Sequence, residues 1–302
     1  MPLRGLVRTL STTSAARPDR MPVGDLTTIP DGGLANALRG VHTVVHLAGR
    51  AHVLHDAAAD TKAAFRADNV VATQRLARAA AASGAAHFVF ASSVKVNGET
   101  TLPDRALREN DPPDPRDDYA MSKWEAECAL ADIARDTGMP VTVLRLPLMY
   151  GPGVKGNVAR LTDAIVRGMP LPFASIDNRR SVLGAGNFAS ALAVILQHPV
   201  PMLGTVAIWF VADAAPVSTA QWVREIGAAL GVDPRLLPLP PALLQFLCAC
   251  VGRASLADKL VESLVVDGSA FREAHAWQPP RSMADELADM ARARRTTPAS
   301  PL

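Results

Sequence analysis

Short runs rich in β-branched residues alternate with alanine- and leucine-rich stretches over most of the chain, and this alternation restricts the fold more than any other feature. Strands are expected at Leu3–Thr9, Thr43–Ala48, His87–Ser92, Val141–Leu146 and Val206–Val211, with a loop over Ser11–Pro22. Helices are expected over Lys62–Ala82 and Asp117–Thr137. Strands separated by helices of this length form βαβ units, whose parallel strands are covered on both faces. The expected class is therefore α/β, a Rossmann-like doubly wound parallel sheet. Gly84 and Gly138 stand where C-terminal caps belong, because glycine enters the left-handed region without steric cost. Beyond Gly151, prolines from Pro170 to Pro241 break the pattern into short helices, which reads as a smaller substrate-side lobe. The expected division is residues 1–152 and 153–302, with late sheet elements around 181–212 and a frayed tail from Arg292.

Composition removes several classes of function. The 302 residues carry 31 Lys and Arg against 29 Asp and Glu, a net charge of +2 with no run of like charges, so nucleic acid is not an expected partner. The longest apolar stretch, Ala242–Val251, is about half of the roughly 20 residues that a bilayer crossing needs, so no membrane span is expected. Cys128, Cys248 and Cys250 have neither metal-ligand spacing nor an even count, which favours a reducing, cytoplasmic setting. Residues 1–18 hold three arginines and no acid, a superficial likeness to a transit peptide, but they are read as strand and loop.

Three segments carry chemistry: His87–Glu99 (HFVFASSVKVNGE), Asp117–Glu127 (DDYAMSKWEAE) and Val143–Gly153 (VLRLPLMYGPG). Each places reactive groups just past an expected strand or at the start of a helix, the edge where doubly wound sheets bind ligands. Tyr119 and Lys123 are neighbours on a helix surface at i and i+4, so an ammonium near the phenol is expected to draw its pKa down from about 10. A tyrosine tuned in this way can take a hydroxyl proton, and Ser93 can hold the same oxygen. That set suits oxidation of an alcohol when a nicotinamide takes the hydride. The seven histidines have no partners at metal-ligand spacing, and no metal is expected.

With these segments the chain resembles the extended short-chain dehydrogenases/reductases of the nucleotide-sugar epimerase/dehydratase family. The likeness covers residues 3–290 and points to bacterial UDP-sugar 4-epimerases and 4-keto-reductases of surface-polysaccharide pathways. It implies catalytic roles for Ser93, Tyr119 and Lys123. For the dinucleotide, NAD or NADP, it implies Asp25 and Leu26 of the GDL pattern, Leu47, Ala48 and Gly49 of HLAG, Asn69 of NVxxT, Ala91, Tyr119, Lys123, Pro147 and Leu148. For a UDP-sugar it implies Ser93, Val94, Asn157 and Arg180. A closing motif matches Asp267, Trp277 and Pro279. The resemblance admits a homodimer. Sugar dehydratases of this family resemble one another in an Asp-Glu pair after the strand-end hydroxyl, where this chain has Val94 and Lys95. Arg8, at the end of its strand with no carboxylate expected beside it, favours tolerance of NADP. Smaller departures from the family pattern are Asn97 in place of tyrosine, Arg50 after Gly49, and Gly184–Asn187 in place of a valine and an aspartate.

The main departure is that no GxxGxxG turn occurs among the 302 residues. Such a turn brings backbone N–H groups to the pyrophosphate at a helix N-terminus. The chain reads as starting at the family's second strand, so either the start lies upstream or the chain is a non-catalytic remnant that binds no dinucleotide. An unfilled strand position leaves ladder groups unpaired at about 1–3 kcal/mol each, against a domain stability of about 5–15 kcal/mol. Residues 1–302 alone are thus expected to be poorly soluble or loosely packed and not to bind NAD(H) or NADP(H) in calorimetric titration. The same chain extended upstream by a β-GxxGxxG-α segment is expected to bind. Micromolar affinity in a well-behaved short chain would refute the argument.

Overall fold

A computed structural model describes residues 3–9, 20–51, 60–102, 104–197, 202–250 and 260–296. Its strands are β1 (Gly5–Val7), β2 (Arg20–Pro22), β3 (Thr43–His46), β4 (His87–Ser93), β5 (Val141–Leu146), β6 (Leu148–Tyr150), β7 (Val182–Gly184) and β8 (Val206–Phe210). Every strand expected from β-branched content is present, with ends that move by up to two residues. The stretch Ser11–Pro22, read as loop, ends in a strand at β2, and its residues 11–19 lie outside the described residues. The helices are α1 (Asp31–Leu38), α2 (Thr61–Phe65), a π-helical turn (Arg66–Val71), α3 (Ala72–Ala82), α4 (Asp118–Thr137), α5 (Gly156–Val166), α6 (Ala185–Gln197), α7 (Thr219–Leu230), α8 (Pro241–Cys250), α9 (Ser269–Ala274) and α10 (Met283–Thr296). Arg292–Thr296, the start of the tail expected to fray, continue α10, and residues 297–302 lie outside the described residues. No described helix is long and apolar enough to cross a membrane.

The chain divides into two units: Met1–Val96, Pro113–Arg145 and Pro199–Trp209 form the first, and Asn97–Pro112, Leu146–His198 and Phe210–Leu302 form the second. In the first, β1 and β2 pair in parallel, and β3-β4-β5-β8 form a separate four-stranded sheet. Among the described residues no strand joins the two ladders. β3 and β4 run parallel, with Thr43 opposite His87 and His46 opposite Phe90. All six residues of β5 are buried, which a strand covered on both faces requires.

Helix α4 shows how local sequence sets its boundaries. Asp117 caps its start by accepting the Ala120 N–H at 2.8 Å, a bond worth about 1 kcal/mol. Gly138, at φ +75°, ends it with its N–H on the Ala134 carbonyl. Ala126, Leu130 and Ile133 of α4 pack with Leu76, Ala77 and Ala80 of α3 and with Phe88, Phe90, Val141 and Val143 of the sheet in one core. The second unit has its own core, built around Tyr150, Val182, Trp222, Val223, Ile226 and Leu287.

His46 links the sheet to the π turn. The Thr73 hydroxyl donates to the Asn69 carbonyl at 2.6 Å, so its oxygen is left to accept from His46 Nε2 at 3.0 Å, and the ring is the neutral Nε2–H tautomer. Burial lowers the His46 pKa to about 3, and the nearby Lys123 ammonium acts in the same direction. Burial likewise lowers His87 to about 4. An unfolded chain takes up a proton near pH 6.5 that these folded histidines refuse, so stability falls as the pH falls below that value. Between about pH 6.5 and pH 5 the loss from His46 is about 2 kcal/mol, with a further loss of the same sign from His87. Urea unfolding midpoints at the two pH values measure it.

Candidate active site

Strand β4 enters the core and ends in two serines that face different partners. Ser92 donates to a carboxylate oxygen of Glu127 on α4. Ser93 accepts the Lys95 N–H at 3.3 Å across a 3₁₀ turn, Val94–Val96, and its hydroxyl lies close enough to the Tyr119 phenol to favour the phenolate. Glu127 also holds Arg145 of β5, with 2.6 Å from Nη2 and 3.2 Å from Nε. Both members of this ion pair are at most 3% exposed. The pair ties one helix to two strands at the level of the site. Its sequence signal is an arginine inside the apolar strand VTVLRL, a charge that needs a buried partner.

Tyr119 lies in the first turn of α4, its ring edge-on to Phe65 of α2 at 6.1 Å. One turn on, Lys123 is buried, donates to the Ala91 carbonyl at 2.9 Å and sits 4.6 Å above the Phe90 ring. The helix thus gathers Ser93, Tyr119, Lys123 and Ala91, as the sequence suggests. The electrostatics differ from the expectation. Burial raises the Tyr119 pKa above its ordinary value, and the Ser93 hydroxyl and the Lys95 ammonium oppose that shift. Burial lowers Lys123 to about 8, with Glu127 acting the other way.

The loop after β3 is clamped from below. Asn69, in the π turn, accepts the Arg50 N–H at 2.7 Å and donates to the Arg50 carbonyl at 3.0 Å and to Ser122 Oγ at 2.9 Å. Ser122 in turn donates to the Tyr119 carbonyl at 2.8 Å. Asn69 therefore spends its amide on holding Gly49–Arg50 against α4. Gly49 is required there, since a Cβ would stand 2.9 Å from Asn69 Oδ1 and 3.2 Å from Lys123 Nζ. Leu47, Ala48 and Gly49 are exposed, and Val94 is buried.

Arg8 corrects the sequence reading. A carboxylate does stand beside it: Asp25 Oδ2 lies 2.6 Å from its guanidinium. Asp25 also accepts the Thr27 N–H and hydroxyl, which hold its carboxyl below the usual carboxylate range, and Arg8 adds to the shift. The expectation that no carboxylate stands beside Arg8 is therefore not met, and its exposed guanidinium is shared with Asp25. Leu26 packs against the core.

The remaining candidates lie in the second unit. Pro147 is buried, and Leu148 and Asn157 are exposed. Arg180 donates from Nη1 to the Glu262 carbonyl at 2.9 Å. Its backbone pairs with Val217 and its pKa is lowered by burial, against Glu99 and Glu262. Trp277 is buried and donates to Ser190 Oγ at 3.1 Å, and Asp267 accepts the Ser269 N–H. Asn187, where the family pattern has an acid, donates to Asp213, which also accepts the buried Tyr150 hydroxyl at 2.8 Å.

An α/β sheet with a serine, a tyrosine and a lysine gathered at a strand end and helix start defines a dinucleotide-dependent oxidoreductase class. The family model for the NAD dependent epimerase/dehydratase family matches residues 4–206, and the chain belongs to that family. A Vibrio cholerae protein described as UDP-glucose 4-epimerase is 37% identical over 272 residues, 90% of this chain and 81% of the relative. Among solved structures, MoeE5 in complex with UDP-glucose and NAD is 25% identical at a TM-score of 0.74, covering 96% of this chain and 89% of that one. The Thermus thermophilus UDP-glucose 4-epimerase complex with NAD matches in fold, at 21% identity, a TM-score of 0.72, and 95% and 88% coverage. The family's dinucleotide is NAD. The donor set of Ser93, Tyr119 and the buried Lys123 ammonium, beside the close-packed Gly49, fits its nicotinamide-ribose half.

Removing Glu127 would leave the Arg145 guanidinium buried without its carboxylate. Glu127→Ala is expected to cost about 3–5 kcal/mol. Chemical denaturation checks it.

Proposed function

We propose that the chain is an NAD-dependent UDP-sugar epimerase acting at carbon 4 of the sugar, in the supply of surface-polysaccharide precursors. The observation that carries this reading is the meeting of Ser93, Tyr119 and Lys123 at the end of β4 and the start of α4. Likeness to a relative described as UDP-glucose 4-epimerase supports it. Tyr119, as phenolate, accepts the proton of the sugar 4-hydroxyl and later returns it. Ser93 hydrogen-bonds the same oxygen and keeps it in line. Bound beside these residues, NAD would supply a reversible hydride acceptor for carbon 4. Lys123 has three N–H donors, of which Ala91 takes one, and the others hold the nicotinamide ribose. Within the first unit, Asp25, Leu26, Leu47–Gly49 and Ala91 are assigned to the dinucleotide, and Asn69 acts on it through the position of Gly49. Val94, Asn157 and Arg180 are assigned to the UDP-sugar. Val94 and Lys95, aliphatic and cationic, supply no acid pair for eliminating water, which favours epimerisation over dehydration.

In protein with a complete dinucleotide site, Tyr119→Phe is expected to lower turnover well over about tenfold with little change in sugar affinity, because the hydroxyl acts in proton transfer. Product analysis with UDP-glucose, UDP-GlcNAc and a 4-keto sugar accompanies it. A 4-epimer formed without net NADH supports the proposal. Stoichiometric consumption of NADH by the keto sugar alone would identify a reductase.

A further inference from the structure

Two charged residues flank the candidate acid/base without belonging to the expected triad. Lys95 stands two positions after Ser93, and Asp117 two positions before Tyr119. Their side chains meet at 2.5 Å, Lys95 Nζ to Asp117 Oδ2, and so bridge the strand-end turn to the start of α4. The Lys95 N–H lies on Ser93 Oγ, while the second Asp117 oxygen caps the helix at Ala120. We propose that this ion pair positions and tunes the Tyr119 phenol: the Lys95 ammonium favours the phenolate, and Asp117 is the counter-charge that limits the effect.

The other charged groups near the phenol are already committed. Lys123, one turn along the same helix, is buried on the Ala91 carbonyl and the Phe90 ring. From the α2 side comes Phe65, and the Arg50 guanidinium over its ring is paired with Asp68 at 3.1 Å. Arg66, next along, pairs with Glu125. Lys95 and Asp117 oppose each other in their effect on the phenol's ionisation, Lys95 lowering it and Asp117 raising it. The first turn of a helix adds a positive potential of its own, which also favours the phenolate. The inference rests on Tyr119 being the acid/base.

The chain contains only two tyrosines, Tyr119 and Tyr150. Tyr150 is buried, and burial together with Asp213 pushes its ionisation far up. The near-ultraviolet tyrosinate signal of the protein minus that of Tyr119→Phe therefore reads Tyr119 alone. Lys95→Met keeps the apolar stem and removes the charge, and Asp117→Asn keeps a good helix cap and removes the charge. The Tyr119 midpoint is expected to rise by about half to one pH unit in Lys95→Met and to fall by a similar amount in Asp117→Asn, while Lys95→Arg stays near wild type. Circular dichroism at each pH confirms the fold, and one folded charge-removing variant decides if the other unfolds. Unmoved midpoints, or shifts of the same sign in both variants, would overturn the proposal. The titration needs neither dinucleotide nor sugar. Absence of turnover with every UDP-sugar would therefore sink the functional reading alone, and normal epimerisation with unmoved midpoints would sink only this inference.

Discussion

The site depends on the buried ion pair between Glu127 and Arg145. Taking two charges out of water costs several kcal/mol each, and only close, well-directed bonds recover it. Here Arg145 reaches both carboxylate oxygens, and Ser92 adds a hydrogen bond of its own. Because those three residues come from β5, α4 and β4, the pair tolerates one rotation and one height of the helix against the sheet. A helix turned by one residue, about 100°, would bring Glu127 out of reach of Arg145 and carry Tyr119 away from Ser93 together with it. Stability and site geometry are thus set by the same contact. Tyr119, Lys123 and Glu127 lie four residues apart on one face of α4, so whatever locks the third locks the first two.

A second constraint acts from the side of β3. The π turn at Arg66–Val71 places Asn69 so that one side chain reaches the Arg50 backbone and Ser122 together. π turns displace the residues of a helix by one position relative to an α-helix, and they recur at functional sites. In this chain the displaced residue joins the loop after β3 to the turn of α4 that holds Tyr119. Thr73, one turn further on, joins the same segment to His46 within the sheet. The NVxxT pattern is therefore a pair of structural clamps, and the influence of Asn69 on a dinucleotide would pass through the position of Gly49.

Periodicity made the architecture legible. β-branched runs located every major strand because a buried parallel strand tolerates little else, as the six buried residues of β5 show. The expected helix Asp117–Thr137, closed by Gly138, matches α4 to within one position, with Asp117 the cap and not the first helical residue. The short strands β2, β6 and β7 were not legible. Each is three residues long, too short to display an alternation, and β2 includes a proline. Spacing also gave the meeting of Tyr119, Lys123 and Ser93. What spacing could not give were pairings between residues distant in sequence. Arg8 with Asp25 and Glu127 with Arg145 depend on how strands and helices are stacked, and nothing local marks the partner.

The sign of the tyrosine shift shows why proximity on a helix is a weak guide to electrostatics. An ammonium at i+4 lowers a phenol's pKa only if its charge is present and directed at the oxygen. Lys123 is instead drawn into the sheet, where the Ala91 carbonyl and the Phe90 ring receive it, and its own burial brings its pKa to about 8. Near neutral pH it keeps its charge, but that charge is directed toward the backbone of β4. The phenol, desolvated in the same place, meets a half-buried ion pair on its other side. Burial thus does two opposing things here. It excludes water from the phenol, where the proposed proton transfer takes place, which strengthens every remaining charge, and it raises the cost of the phenolate. A site of this kind works as a base only when enough positive charge is gathered around the oxygen to offset its desolvation, and in the proposed reading that charge comes from Lys95 in the turn after β4 and from the first turn of α4.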